Sequence, residues 1–179
     1  MEQKEAKKMM KILQSAIQME VDGKEFYQRA SQKSSNRLGK ELFQRLADEE
    51  DDHQKKFQQI YDALREGQDW PDVKPPSQKG KKLKSIFAEA TKELGSKIKV
   101  SQSELDTIKT AMDMENKTHD FYHSWSERST FPVEKQFYQA LAAEERGHYL
   151  ALLDSYEYLT DPVGSVSYTH LTLPTKRIV

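Results

Sequence analysis

Leu46-Ala47-Asp48-Glu49-Glu50-Asp51-Asp52-His53 and Leu141-Ala142-Ala143-Glu144-Glu145-Arg146-Gly147-His148 are the stretches whose reading decides the fold. They fall on one another at a separation of 95 residues, and each contains a Glu-x-x-His turn. Residues three apart on a helix project from the same face. Around the first turn that face carries Leu46, Ala47, Phe57 and Ile60; around the second it carries Leu141, Ala142 and Leu152. Both Glu-His pairs therefore point into an apolar interior.

The same shift reaches further. Ala16-Ile17-Gln18-Met19-Glu20 falls on Ala111-Met112-Asp113-Met114-Glu115, and Phe26-Tyr27 falls on Phe121-Tyr122. A helical hairpin is used twice, which predicts a pseudo-twofold axis. Apolar spacing predicts four helices over roughly 4–33, 37–66, 101–129 and 130–159. Ser34-Ser35-Asn36 is a short turn able to cap the second helix. Ser101-Gln102-Ser103-Glu104 has the form of a capping box for the third, and Pro132 suits the first turn of the fourth. The gap 67–100 is too long for a plain turn. It opens with the non-helical Trp70-Pro71-Asp72-Val73-Lys74-Pro75-Pro76 and then carries a short amphipathic stretch, Leu83 to Leu94. The predicted class is all-α: a four-helix bundle of two repeated hairpins joined by a long crossover with a short helix.

Composition agrees. Of 179 residues 32% are charged and only 7 are Gly and 6 Pro, the balance of long solvated helices rather than of a sandwich or barrel. Lys plus Arg (28) nearly equals Asp plus Glu (29), which gives no electrostatic case for nucleic acid or a membrane surface. The absence of cysteine excludes disulfides, thiolate metal sites and thiol catalysis. No stretch approaches the ~18 apolar residues of a spanning helix, and the start has no apolar signal region, so a cytoplasmic protein is the expectation.

A carboxylate buried without compensation costs several kcal/mol, and a divalent cation neutralises it directly. Glu20 and Glu115 lie on the apolar stripes of the first and third helices, so the twofold relation brings four acids to one level with His53 and His148. Four carboxylates and two imidazoles suit two metal ions, with iron or manganese favoured by the carboxylates. The expected ligands are Glu20, Glu50, His53, Glu115, Glu145 and His148. A lone Glu-x-x-His on a charged helix is usually surface decoration; two full sets in register are not. Glu49 and Glu144 sit about 100° round their helices and are expected at the surface or behind the ligands. Tyr27 and Tyr122 lie two turns from the lone glutamates on the same faces. They are the candidate catalytic side chains beside the metals, through a hydrogen bond to a ligand carboxylate; plain packing is the alternative. His119 and His123 read as boundary residues, with His119 the candidate proton donor.

At these residues the sequence resembles the rubrerythrin family, specifically its ferritin-like di-iron domain, over about residues 5–160. The resemblance implies that Glu50 and Glu145 bridge two iron ions and that Glu20, Glu115, His53 and His148 are terminal ligands. It also implies reduction of hydrogen peroxide, or O2, with electrons delivered by a rubredoxin site. Without cysteine that site is missing, so the donor becomes a separate rubredoxin-like protein, and a homodimer is expected. The family's further Glu, one turn after the ligand of the third helix, is Thr118 here. Two other readings stand beside the peroxidase: iron oxidation and storage of the ferritin kind, and a metal-free helical interaction bundle. Residues 1–160 form the expected domain. The tail, 161–179, contains Val166-Ser167-Tyr168-Thr169-His170-Leu171-Thr172-Leu173-Pro174-Thr175, which resembles a translated sequencing adapter and is set aside as non-native; a native terminal segment is the alternative.

Overall fold

The computed structural model describes residues 3–74 and 100–161. Four helices account for nearly all of them: α1 (Gln3–Lys33), α2 (Arg37–Arg65), α3 (Gln102–Arg128) and α4 (Pro132–Thr160). α1 packs along α2 and α3 along α4, and the two hairpins close on each other into an all-α bundle. The amphipathic stretch 83–94 and the tail from 162 lie outside the described residues. No described helix is long and apolar enough to cross a membrane.

The helices are held by one continuous buried stripe each. On α1 it runs through Leu13, Ala16, Glu20, Tyr27 and Ala30, at steps that keep one face inward. On α3 it runs through Ile108, Ala111, Glu115 and Tyr122. Two apolar cores result. One joins Tyr27 and Ala30 to Leu38, Leu42, Ile108, Leu152 and Leu159. The other joins Ile12 and Leu13 to Phe57, Ile60, Tyr122, Phe137 and Leu141. Late α1 and early α3 thus share an end, so α1 and α4 run one way while α2 and α3 run the other. α2 ends at the opposite end of the bundle from the start of α3. A tight turn cannot join them, which is why the sequence needs a crossover there.

The caps follow the sequence, with one departure. Asn36 caps α2, its side-chain oxygen accepting from the Gly39 amide at 2.8 Å, and Pro132 occupies the first turn of α4. Ser101 caps α3 by accepting from the Glu104 amide at 3.2 Å. The Glu104 carboxylate, which the capping-box reading turns back on its own helix, reaches to the other hairpin. It accepts from Ser34, from Ser35 at 2.8 Å and from Asn36 at 2.9 Å. Three donors of one turn outweigh a single amide for a buried carboxylate. Gly39 leaves room for this contact: a Cβ there would lie 2.2 Å from Ser34 Oγ and 2.8 Å from Glu104 Oε1.

Candidate metal centre

Between the two apolar cores lies a single polar layer. Glu20, Glu50, His53, Glu115, Glu145 and His148 are all brought into it, and none is more than 3% exposed. One ligand atom each from Glu20, Glu50, His53 and Glu145 converge within 4.8 Å of one another, as do atoms of Glu50, Glu115, Glu145 and His148. Glu50 and Glu145 belong to both groups. The two imidazoles lie nearly parallel, with ring centroids 5.9 Å apart.

Each hairpin orients the candidate ligands of the other. Tyr27 of α1 donates to Glu115 Oε1 on α3, and Tyr122 of α3 donates to Glu20 Oε1 on α1. The two tyrosines therefore contact candidate ligand carboxylates, and across the twofold relation rather than within their own repeat. The Nε2 atoms of His53 and His148 lie 2.7 Å from Glu144 Oε2 and 3.0 Å from Glu49 Oε2 respectively, both from the opposite hairpin. With the Nε2 proton committed to a carboxylate, each ring turns Nδ1 to the centre, where the neutral ring would offer its lone pair to a metal. His53 Nδ1 faces Glu145 at 3.3 Å and Glu20 at 3.4 Å; His148 Nδ1 faces Glu50 at 3.3 Å and Glu115 at 3.5 Å.

The outer contacts are satisfied and the inner ones are not. Glu20 Oε2, Glu115 Oε2, both oxygens of Glu145 and both Nδ1 atoms are buried without a hydrogen-bond partner. Orphaned acceptors of this number in one layer are a large cost unless a cation takes them. In the protein alone, protons do part of that work. Burial, and then the Glu50 charge, hold the Glu20 carboxyl well above the usual range; burial and Glu145 do the same to Glu115. Burial pushes the imidazoles down, yet the Glu20 and Glu115 charges carry His53 and His148 well above their ordinary value. Burial and Glu145 push Glu50 up, but the closeness of Glu20 and of the two imidazoles prevails and brings it to about 2. Glu145 is lowered too, by His148 and His53 against its burial. The donor set of carboxylate oxygens and imidazole nitrogens fits divalent transition metals.

Of the two positions expected for Glu49 and Glu144, the structure excludes the surface. Glu49 and Glu144 are buried behind the histidines, and Arg45 Nε holds Glu49 from outside at 2.7 Å. Their sequence signal was that both recur in the repeat. His119 is not a proton donor to the centre: it pairs with Asp120 at 3.0 Å and stacks on the exposed His123. Thr118 turns its hydroxyl back to the Met114 carbonyl, at 2.7 Å.

The rubrerythrin profile matches residues 11–156, which takes in all four helices and every residue of the centre. The chain belongs to the rubrerythrin family. None of the curated proteins matches it in sequence. Among solved structures it is similar to hypothetical protein Pfu-1136390-001 from Pyrococcus furiosus, at 25% identity and a TM-score of 0.64. That likeness covers 85% of this chain and 90% of the other. The carboxylate and imidazole layer is thus a candidate metal site within a rubrerythrin-family bundle.

Proposed function

We propose that the centre binds two iron ions and reduces hydrogen peroxide with electrons from a separate donor protein. The observation that carries this reading is the sharing of Glu50 and Glu145 between the two four-residue groups. Glu20 and His53 would then complete one ion's ligands, Glu115 and His148 the other's, with the shared glutamates bridging. An iron pair supplies two one-electron reductions at one place, which is what converting peroxide to two waters requires.

The remaining residues prepare the site. Tyr27 and Tyr122 hold one oxygen of Glu115 and Glu20, leaving Oε2 of each turned inward. They also place hydroxyl protons beside the centre, where consumption of peroxide draws on protons. Glu49 and Glu144 fix the imidazole tautomer. Apolar layers on both sides keep bulk water from competing for the inward donors. The orphaned atoms speak against the metal-free bundle, since a half-satisfied polar layer destabilises a core.

Thr118 favours one second reading. Without a further carboxylate in that place the ligand set is the same in both halves, as suits simple oxidation of ferrous iron. Elemental analysis and stopped-flow mixing separate the readings. The proposal expects two irons per chain and oxidation of the di-ferrous protein by peroxide faster than by O2. Faster oxidation by O2 with release of ferric iron would transfer the assignment to iron oxidation; failure to bind iron or manganese under anaerobic reconstitution would remove both.

A further inference from the structure

Among the described residues, a line of oxidisable rings leaves the centre at one end only. Tyr122 touches the centre through Glu20. Its ring stacks on Tyr138 at a centroid distance of 6.2 Å, and Tyr138 meets Trp70 edge-on at 6.3 Å. Phe57 and Phe137 fill the sides of this stack. Trp70, in the segment after α2, is only half-buried, so the line ends where solvent begins. The other half of the bundle starts the same way and stops: Tyr27 stacks at 6.1 Å on Phe43, whose ring carries no hydroxyl, and the repeat partner of Trp70 is Ser165. Trp70 Nε1 and Tyr138 Oη are both buried without a hydrogen-bond partner, a cost that packing alone does not explain.

We infer that Tyr122, Tyr138 and Trp70 form an escape route for oxidising equivalents, which protects the centre when its electron donor is absent. The inference rests on peroxide as the substrate. Hydrogen peroxide takes up two electrons and two protons to become two waters. A centre able to give only one electron draws the second from Tyr122, whose proton passes to its hydrogen-bond partner, Glu20. Trp70 then gives an electron to the Tyr122 phenoxyl radical, and the proton returns from Glu20 to Tyr122 Oη. Tyr138 has no acceptor for its proton, so its ring serves as the packed bridge between the two and is not itself oxidised. The Trp70 radical cation is finally reduced by a one-electron reductant in solvent, of the ascorbate or thiol class. The net result is one electron from the centre, one electron from the solvent reductant and two protons from solvent spent on peroxide, with no side chain lost.

The route is tested first without metal, so that its failure is distinct from failure of the iron reading. Trp125→Phe leaves Trp70 as the single indole. In this metal-free full chain, azidyl radicals from pulse radiolysis oxidise Trp70, and the indolyl radical is expected to convert to a tyrosyl radical, the reverse of the escape step, which in the loaded protein is pulled outward by reduction of the Trp70 radical in solvent. The conversion is first-order and independent of protein concentration. Tyr122→Phe is expected to abolish this step; Tyr138→Leu is expected to abolish it, while Tyr138→Phe, which keeps the ring, preserves it. Circular dichroism identifies the folded variants. Conversion undiminished in Tyr122→Phe, or lost in folded Tyr138→Phe, overturns the route. In the iron-loaded protein given peroxide without reductant, peptide mass mapping should find oxygenated Trp70, and Tyr122→Phe should lose it. Equal oxygenation in both proteins also overturns the route.

Discussion

Glu49→Gln tests the idea that each hairpin sets the ligand geometry of the other. Glu49 is nearly as buried as the ligands, and its Oε2 receives the Nε2 proton of His148 at 3.0 Å. Glutamine preserves the volume but removes the charge that anchors this proton and the charge that Arg45 meets at 2.7 Å. A weakened or unmade bond to a buried N–H costs about 1–3 kcal/mol. At 1.4 kcal/mol per factor of ten, that is roughly 5- to 150-fold in metal affinity. The range agrees with the ~10–100-fold expected when the support behind a histidine ligand is removed. Anaerobic titration with ferrous or manganous ion, read by calorimetry, should show one of two ions weakened by this factor and the other, on the His53 side, close to wild type. Arg45→Ala should do less, because a partly exposed ion pair contributes only ~1 kcal/mol or below. Unchanged affinity for both ions in Glu49→Gln would refute the argument that Glu49 holds the ring. Equal weakening of both would refute its confinement to one side.

Other outcomes follow from the same geometry. Glu50→Ala and Glu145→Ala should each bring the metal content of the purified protein to near zero, whereas Glu25→Ala, an exposed carboxylate, should leave it unchanged; elemental analysis decides. Gly39→Ala should destabilise the fold by about 1–3 kcal/mol, because its Cβ would overlap Ser34 Oγ at 2.2 Å; a thermal midpoint at or above wild type would contradict the close approach. The metal-free protein should lose thermal stability as pH rises. Raised carboxyls at Glu20 and Glu115 stabilise it fully below their ordinary 4.5 and stop doing so as pH climbs through the raised values. Raised imidazoles at His53 and His148 act in the same sense above 6.5. Glu50 and Glu145 act oppositely, but only below 4.5. Scanning calorimetry from about pH 5 to pH 9 should therefore show a falling midpoint without metal, and a gain on metal binding that grows with pH. A midpoint that rises across this range would show that protons are not what neutralises the layer.

Much of this was legible because helical spacing is a local property. Leu46, Glu50, His53 and Phe57 declare one face of α2 without reference to any other helix, and the 95-residue repeat doubles the statement. What crosses between hairpins was not legible. Nothing in the sequence around Tyr27 says that its hydroxyl goes to Glu115 rather than to Glu20 on its own helix. Spacing on α2 turns Glu49 away from His53, and so conceals that it meets His148 from the other side. The capping-box pattern at Ser101 is half misleading for the same reason, since Glu104 finds better donors in a turn far away in sequence. His119 shows the reverse error: a residue placed one turn from a ligand by number still faces Asp120 and the outside.

The crossed bonds of Tyr27 and Tyr122 carry an implication for how such a protein arises. One hairpin contains a lone Glu, one Glu-x-x-His and one Tyr, and the hydrogen bonds that hold its lone Glu and its His come from the other hairpin. Two identical copies of either hairpin, related by a true twofold axis, would supply the same complete set. In such a dimer of short chains the axis would exchange the two four-residue groups and pass between them. A single chain carrying both hairpins lets the halves differ, as Tyr138 does from Phe43.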